Sequence, residues 1–290
     1  MLRRLAVPLM VFVSACGEPV AQDRASRERA LVSEASDLLP ADLDFVVRID
    51  TARLRKDPAF EEALRGVAKS GGTDMLRSVL PRLESARAVL IGGRFMSDGF
   101  HGDGVVAIEP TGSDREVGPF DPTFHPSNEH LDHARIFERS SDSRDEAVLA
   151  IALDGGGVVL ATTCEADAVL RVLRAGPDPG KLDPPARGLV AFASRAPPHT
   201  DLVPARVVDG LTRFVGSFEG GDAIHLETEL SFGSPEQGAR AVASLEPIAA
   251  RLGRAPQPWR SLSDSMKLAR DGGVVRLRVT VPFAVLRELH

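Results

Sequence analysis

The stretch between residues 222 and 232 decides the fold class, because its polar and apolar side chains alternate. It reads Asp222-Ala-Ile-His-Leu-Glu-Thr-Glu-Leu-Ser-Phe232. Successive side chains of a β-strand point to opposite faces, so one face of this strand carries Ile224, Leu226, Thr228, Leu230 and Phe232. The other face carries His225, Glu227, Glu229 and Ser231. The pattern predicts an antiparallel sheet with one buried face and one solvated face.

A second alternating stretch predicts a basic strand that complements this acidic one. Arg276 and Arg278 alternate with apolar residues between positions 274 and 279. Opposite charges on neighbouring strands stabilise a sheet, so we expect a ladder in which these arginines pair with Glu227 and Glu229. The alternative is the acid–base pair of a glycosidase, since two carboxylates two residues apart on a strand lie about 7 Å apart. The ladder is the simpler interpretation.

Helical patterns flank the alternating strand on both sides. The segment 203–215 has apolar residues at helical spacing and predicts an amphipathic helix. After the strand, Ser234 precedes a proline and is followed three residues later by Gln237, which is the pattern of a capping box. This second helix is expected to run towards Leu252, with a kink near Pro247.

The first half of the chain also alternates between strand and helix patterns. Apolar runs between turn residues predict strands at 45–49, 85–94, 104–109, 133–139, 146–153 and 157–162, and one more at 189–195 in the second half. Helices are predicted at 57–69 and 163–174. The proline-rich segment 110–132 has no clear periodicity and predicts a long loop, which makes it a candidate binding surface.

A short motif occurs once in each half of the chain. Asp154-Gly-Gly-Gly-Val-Val159 and Asp271-Gly-Gly-Val-Val275 each predict a hairpin with a glycine turn. Each is followed by Ala-Val-Leu-Arg, at residues 168–171 and 284–287. We therefore predict an α+β fold class, with two tandem related modules of mostly antiparallel sheets and packed helices. A chance match in an Ala/Arg/Val/Leu-rich composition is the alternative.

The N-terminal residues have the pattern of a secretory signal peptide. Arg3 and Arg4 precede an apolar run that is too short to span a bilayer. The run ends at Val13-Ser14-Ala15-Cys16, which resembles the lipobox of bacterial lipoproteins. The resemblance implies cleavage before Cys16, a diacylglycerol thioether on its sulfur, and acylation of the new amino group in diderm bacteria. An ordinary secretory signal with an incidental cysteine is the alternative.

This resemblance implies a lipid-anchored protein of the cell envelope, outside the cytoplasm. Gly17 stands where an aspartate is the usual inner-membrane retention signal, which favours the periplasmic face of the outer membrane in a diderm source. The predicted division of the chain is a signal peptide at 1–15, a lipidated tether at 16–38, a first module at 39–176 and a second module at 186–290. The Pro/Gly/Asp-rich segment between residues 176 and 185 would link the modules.

Composition excludes several classes of protein. The chain has 290 residues, of which 43% are hydrophobic and 26% charged, and this is the balance of a folded globular protein. The net charge of −6 argues against a nucleic-acid partner, because binding a phosphate backbone needs a basic face. Two cysteines cannot form a disulfide framework.

Histidines and carboxylates cluster in and beside the 110–132 segment. His125, His130 and His133, with Glu129 and Asp132, have the donor atoms that zinc binds. No His-Glu-x-x-His helix is present among them, so we interpret these histidines as surface residues. The sequence therefore predicts no metal site.

Two other motifs are candidates for a nucleophile and for a nucleotide-binding loop. Cys164 lies at a predicted helix start, where Thr162 and Glu165 match a capping box, and a helix N-terminus favours a nucleophilic thiolate. Nucleophilic catalysis also needs a positioned histidine, which no motif supplies, so we interpret Cys164 as an inert thiol. Gly102-Asp103-Gly104 resembles part of a dinucleotide fingerprint, but a strand is predicted where the fingerprint needs a helix. We predict no catalytic residue and no cofactor.

The predicted function is a non-catalytic binding, scaffolding or assembly role at the cell envelope. The membrane would be one partner, through the lipid on Cys16, and an envelope protein the other. One alternative is an envelope hydrolase that uses Glu227 and Glu229 or Cys164. The other is a solute-binding lipoprotein, which would have a ligand-sized cleft between its two modules.

Overall fold

The strands and helices of the described chain all lie within Leu31–His290, which we call the folded body. We describe the body from a computed structural model. The residues that it describes are 32–56, 85–95, 104–111, 122–131, 133–141, 146–195, 205–221, 223–257 and 259–282. The predicted signal peptide, Cys16 and the predicted helix at 57–69 lie outside these ranges.

Strands dominate the described part of the chain. They are β1 (Phe45–Ile49), β2 (Ala86–Gly93), β3 (Gly104–Pro110), β4 (His125–Leu131), β5 (Ala134–Glu138), β6 (Ala147–Leu153), β7 (Val158–Thr162), β8 (Val190–Ser194), β9 (Leu211–Glu219), β10 (Ala223–Phe232), β11 (Lys267–Asp271) and β12 (Val274–Pro282). The helices are a short 3₁₀ helix (Ala35–Leu38), α1 (Thr51–Leu54), α2 (Thr163–Ala175), α3 (Ala205–Val208), α4 (Pro235–Gly253) and α5 (Trp259–Ser265).

All of these strands belong to one antiparallel sheet, in the order β11-β12-β10-β9-β8-β1-β2-β3-β7-β6-β5-β4. The two halves of the chain meet at the centre, where Phe45–Ile49 of β1 pairs with β8. Outward from this pair, β2, β3, β7 and β6 on one side correspond in order to β9, β10, β12 and β11 on the other. Only the first half is extended further, by β5 and β4.

The predicted α+β class, with two modules of sheets and packed helices, is wrong: the described chain is a β-rich fold built on one continuous sheet. Among the described helices, only α2 with 13 residues and α4 with 19 exceed two turns. Strands β1 and β8, the first strands of the two predicted modules, pair with each other, so both halves contribute to the same sheet.

The predicted helix at 203–215 accounts for part of this error. Of its described residues, 205–215, only Ala205–Val208 is helical, and Gly210 then adopts a left-handed conformation with φ of 75°. A left-handed residue ends a helix, and Leu211–Glu219 continues as β9, which pairs with β8 on one side and β10 on the other. Apolar residues in a short run fit helical and strand spacing alike, and pairing on both edges selects the strand.

Other local predictions are confirmed. The six predicted strands of the first half and the strand at 189–195 are present, as are α2 and α4. At the start of α4, the Ser234 side chain accepts a hydrogen bond from the Gln237 N–H, and Pro235 is the first helical residue. Both glycine motifs form hairpin turns, with left-handed Gly156 between β6 and β7 and left-handed Gly272 between β11 and β12.

The predicted 110–132 loop is wrong over its last part, because residues 125–131 form β4, the outermost strand at one end of the sheet. Pairing with β5 supplies the hydrogen bonds that make this polar segment a strand despite its lack of periodicity. Residues 112–121 and 132 lie outside the described ranges.

The sheet has two faces with different cover. We call the face that carries Val46, Leu90 and Glu227 the front face, and the other face the back face. In the first half, the 3₁₀ helix and α2 pack on the front face and bury its apolar side chains. In the second half, α4 packs on the back face against Leu230 and Phe232.

The segment before β1 is part of this core. Val32, Ala35, Leu38 and Leu39 are at most 6% exposed, although the sequence assigns residues up to 38 to a polar tether. The Lys181 ammonium donates to Asp37 Oδ1 at 3.0 Å, and Asp178 accepts from the Ala41 N–H. The segment that was predicted to link two modules therefore fastens the start of the folded body.

Candidate functional surface

The front face of β10 and β12 carries the predicted charge ladder, and the structure confirms it. Glu227 lies opposite Arg278, and Glu229 lies opposite Arg276. Arg278 Nη2 is 2.6 Å from Glu227 Oε1, and Arg276 Nε is 3.0 Å from Glu229 Oε2. The strict register of the hairpin and its neighbour sets these pairs, because opposed residues share a face.

This ladder forms an open, solvated surface. The side chains of Glu227 and Arg278 are 56% and 66% exposed. An acid–base pair needs one carboxylate free to donate a proton in an enclosed site, whereas each of these carboxylates holds a guanidinium on an uncovered sheet. Each of these two carboxylates therefore belongs to an ion pair on an open surface.

The start of α2 differs from the predicted capping box. Thr162 makes no side-chain cap, and its Oγ1 instead accepts the Gly104 N–H at 3.0 Å. Glu165 is 1% exposed and accepts two hydrogen bonds from Arg94, at 2.5 and 3.1 Å. Arg94 also contacts Asp42 at 2.9 Å. We call these three charged residues the Arg94 clamp, which joins α2 to the end of β2 and the start of the folded body.

Two members of the Arg94 clamp, Arg94 and Asp42, are stabilised in their charged forms. The hydrogen bond to Glu165 is the main reason why the pKa of Arg94 is raised. The hydrogen bond from Arg94 lowers the pKa of Asp42 below its ordinary value. A buried carboxylate that binds an arginine through two hydrogen bonds stabilises the fold. Removal of the arginine would leave the carboxylate as an uncompensated charge in the core.

Cys164 lies beside this clamp, in the first turn of α2, and its side chain is exposed. The two residues of the predicted capping box bind other parts of the chain, since Thr162 accepts the Gly104 N–H and Glu165 binds Arg94. The interpretation of Cys164 as an inert thiol stays a prediction.

The histidine-rich segment forms the edge of the sheet, where His125–Leu131 is strand β4 and His133 lies in the turn before β5. Glu129 of β4 binds Arg174 of α2, with distances of 2.6 and 2.8 Å, and this hydrogen bonding lowers the pKa of Glu129. His133 Nε2 is buried without a hydrogen-bond partner. Within the described ranges, no three His, Cys, Asp or Glu side chains approach closely enough to bind a metal ion, and Asp132 lies outside these ranges.

Strand β3 begins at Gly104, the second glycine of the segment that resembles a dinucleotide fingerprint. The fingerprint needs a helix N-terminus at this point to bind the pyrophosphate. A strand that pairs with β2 and β7 occupies the position instead.

A cleft of about 370 Å³ lies where the first residues of the body cross the β6–β7 turn. Its walls include Ser33, Glu34, Arg87, Glu109, Gly155 and Gly157. Arg87 Nη2 lies 2.9 Å from Glu109 Oε2 and 4.0 Å from Glu34 Oε1, so its charge is already compensated. The solute-binding alternative calls for a cleft between the two halves, whereas this cleft belongs to the first half alone.

Sequence reasoning missed the Arg94 clamp and the pair formed by Arg53 and Glu219. Arg53 Nη2 lies 2.6 Å from Glu219 Oε2 and links α1 to β9. These partners are far apart in the chain and have no periodic signal, so only the fold brings them together. The ladder could be predicted because polar and apolar side chains alternate in both of its strands.

None of the helices in the described part of the chain combines the length and hydropathy needed to cross a bilayer. No protein family model matches the chain, and searches of curated proteins and of solved structures also find no match.

Proposed function

We propose that the protein is a lipid-anchored, non-catalytic binding protein of the cell envelope, held on the membrane by acylated Cys16. The observation that carries this proposal is the signal-like N-terminus with its lipobox-like Val13-Ser14-Ala15-Cys16. Gly17 favours the periplasmic face of the outer membrane in a diderm source.

The chemistry of the described body supports binding rather than hydrolysis. Glu227 and Glu229 are each engaged by an arginine on an open surface. A flat charged face offers many weak polar contacts, and confinement to a membrane raises the effective concentration of such a face for an envelope partner. The front face of β9, β10 and β12 is the binding surface in this proposal.

The anchor is tested by comparing two cysteine variants of the full chain in the native host. Cys16→Ser should abolish incorporation of radiolabelled palmitate and move the protein from the membrane to the soluble fraction. Cys164→Ser is the matched control, because it removes the other thiol and should leave both properties unchanged. Unchanged labelling and fractionation of Cys16→Ser would exclude the lipid anchor.

The binding surface is tested by placing a photo-crosslinking residue at one of two positions of β9. Arg213 lies on the front face opposite Ser231, while Phe218 lies on the back face opposite Leu226, and both are exposed. In the anchored protein, the probe at 213 should capture a discrete envelope component that the probe at 218 does not. Equal capture at both positions, or none at 213, would remove the front face from the proposal.

A further inference from the structure

The two ends of the sheet are built differently. At one end, β4 contains Pro126, which has no N–H to donate, and its register with β5 shifts between Pro126 and His130. Both features prevent another strand from pairing there. At the other end, β11 has no proline and pairs with β12 in continuous register from Lys267 to Asp271. Only this end presents a regular edge.

The β11–β12 turn determines which backbone groups point outward from that edge. The turn has two residues, Gly272 and Gly273, so Asp271 and Val274 form the hydrogen-bonded pair that closes it. Hydrogen-bonded and non-hydrogen-bonded pairs alternate along an antiparallel ladder. The N–H and C=O groups of Leu268 and Arg270 therefore face away from β12, and no strand of the described chain pairs with them.

The front face of β11 carries two charged side chains of opposite sign that are not paired with each other. Lys267 and Asp271 are exposed and have no ion-pair partner in the described part of the protein. Lys267 lies directly opposite Arg278 of β12, and like charges at opposed positions destabilise a sheet. A carboxylate on the outer side of Lys267 would relieve this repulsion.

Lys267 and Asp271 lie at equal distances from Ala269, which makes the edge complementary to itself. We propose that β11 pairs antiparallel with β11 of a second copy of this chain, about a twofold axis at Ala269. Lys267 of each copy then faces Asp271 of the other, and Leu268 faces Arg270. The outward backbone groups of Leu268 and Arg270 form four hydrogen bonds, and the sheets of both copies become continuous.

A second copy explains the charge pattern better than a foreign strand does. A foreign peptide would need its own acidic and basic residues at the matching spacing, whereas the spacing in β11 supplies both charges at once. The proposal does not depend on the lipid anchor, because the contact lies wholly within the folded body.

The first test uses a cysteine at the twofold axis. Two Ala269 residues would form a non-hydrogen-bonded pair with Cα atoms about 4.5 Å apart, which lies within the range for a disulfide. In full-length Cys164→Ser protein expressed in the native host, Ala269→Cys should give a disulfide-linked dimer after mild oxidation. Arg270→Cys is the control, because Arg270 faces Leu268 of the second copy and its thiols stay apart.

The second test reverses the charges in the Ala269→Cys protein. Lys267→Asp or Asp271→Lys alone places like charges face to face twice, and should lower the yield of linked dimer about tenfold. The double variant Lys267→Asp/Asp271→Lys restores both pairs and should recover the yield. Equal linkage of the Ala269→Cys and Arg270→Cys proteins would overturn the proposal, and so would additive losses in the double variant. Linkage of Ala269→Cys to a different protein would assign the edge to a foreign strand instead.

Discussion

Thr228 buries its hydroxyl on the back face of β10 without a hydrogen-bond partner. A buried hydroxyl without a partner keeps its desolvation penalty and gains nothing in return. Thr228→Val should therefore leave the free energy of unfolding unchanged or raise it, by up to about 1.5 kcal/mol in urea titrations. Thr162→Val is the contrasting control, because it removes the acceptor of the Gly104 N–H and should lower stability by about 1–3 kcal/mol. Equal losses in both variants would contradict this account.

Single residues could be predicted from the sequence where their partners are local or periodic. The Ser234 side chain accepts a hydrogen bond from an N–H only three residues away, so the local sequence pattern is sufficient to predict this cap. The Thr162 and Glu165 pattern has the same form but fails, because Arg94 offers Glu165 a bidentate ion pair. A charged bidentate contact is stronger than a cap, and no local pattern reveals an arginine from another strand.

The charge ladder ties β10 to β12, and its register can be tested. Glu227→Lys places two cations opposite each other and should lower the free energy of unfolding by about 0.5–1 kcal/mol. The matched double variant Glu227→Lys/Arg278→Glu should recover most of this loss in urea titrations. The mismatched double variant Glu227→Lys/Arg276→Glu should not, because Arg276 faces Glu229. Equal recovery by both double variants would contradict the register.

At the scale of elements, the sequence predicts those strands that have clear alternation or end at a glycine turn, and it does not predict strands that lack both. Alternation identifies β10 and β12, and glycine turns identify the hairpins around Gly156 and Gly272. The pattern of residues 203–215 predicts a helix, although residues 211–215 belong to β9, because the apolar residues fit both periods. The decisive factor is the pairing of β9 with β8 and β10. The outer strand β4 was missed because a polar edge strand has no apolar pattern.

Acid should destabilise the whole molecule through carboxylates that bind arginine. Hydrogen bonds from Arg94, Arg174 and Arg53 lower the pKa values of Asp42, Glu129 and Glu219, respectively. A carboxylate with a lowered pKa in the folded state stabilises that state above the ordinary pKa, and loses this contribution as the pH falls through the lowered value. The ordinary values are 3.8 for Asp42 and 4.5 for Glu129 and Glu219.

The free energy of unfolding should therefore be nearly constant above these values and fall steeply below them, as measured by urea titrations from neutral pH to about pH 3. Arg174→Gln removes one of the three interactions and should make the decline shallower. Arg240→Gln is the control, since it removes the same charge. Arg240 makes only a longer, exposed ion pair of 3.6 Å with Asp209, so this variant should leave the decline unchanged. A decline that is equally steep in all three proteins would contradict the prediction.

The arrangement of the whole molecule could not be predicted from the sequence. The repeated glycine motif favoured two modules, but nothing in the chain indicates that β1 and β8 join their strands into one sheet. This joint is made by short apolar strands that could pair with many others. The edge positions of β4 and β11 follow only from the complete strand order.

The central pairing of β1 with β8 also has a kinetic consequence. Ile49 and Val190 are neighbours in the sheet but about 140 residues apart in the chain, so closing this contact costs more loop entropy than forming a hairpin. Hairpins such as β2–β3 and β11–β12 can form first, and the central seam then completes the fold. Until then, two incomplete sheets expose the backbone of β1 and β8, and a newly synthesised chain is most vulnerable to aggregation during that interval.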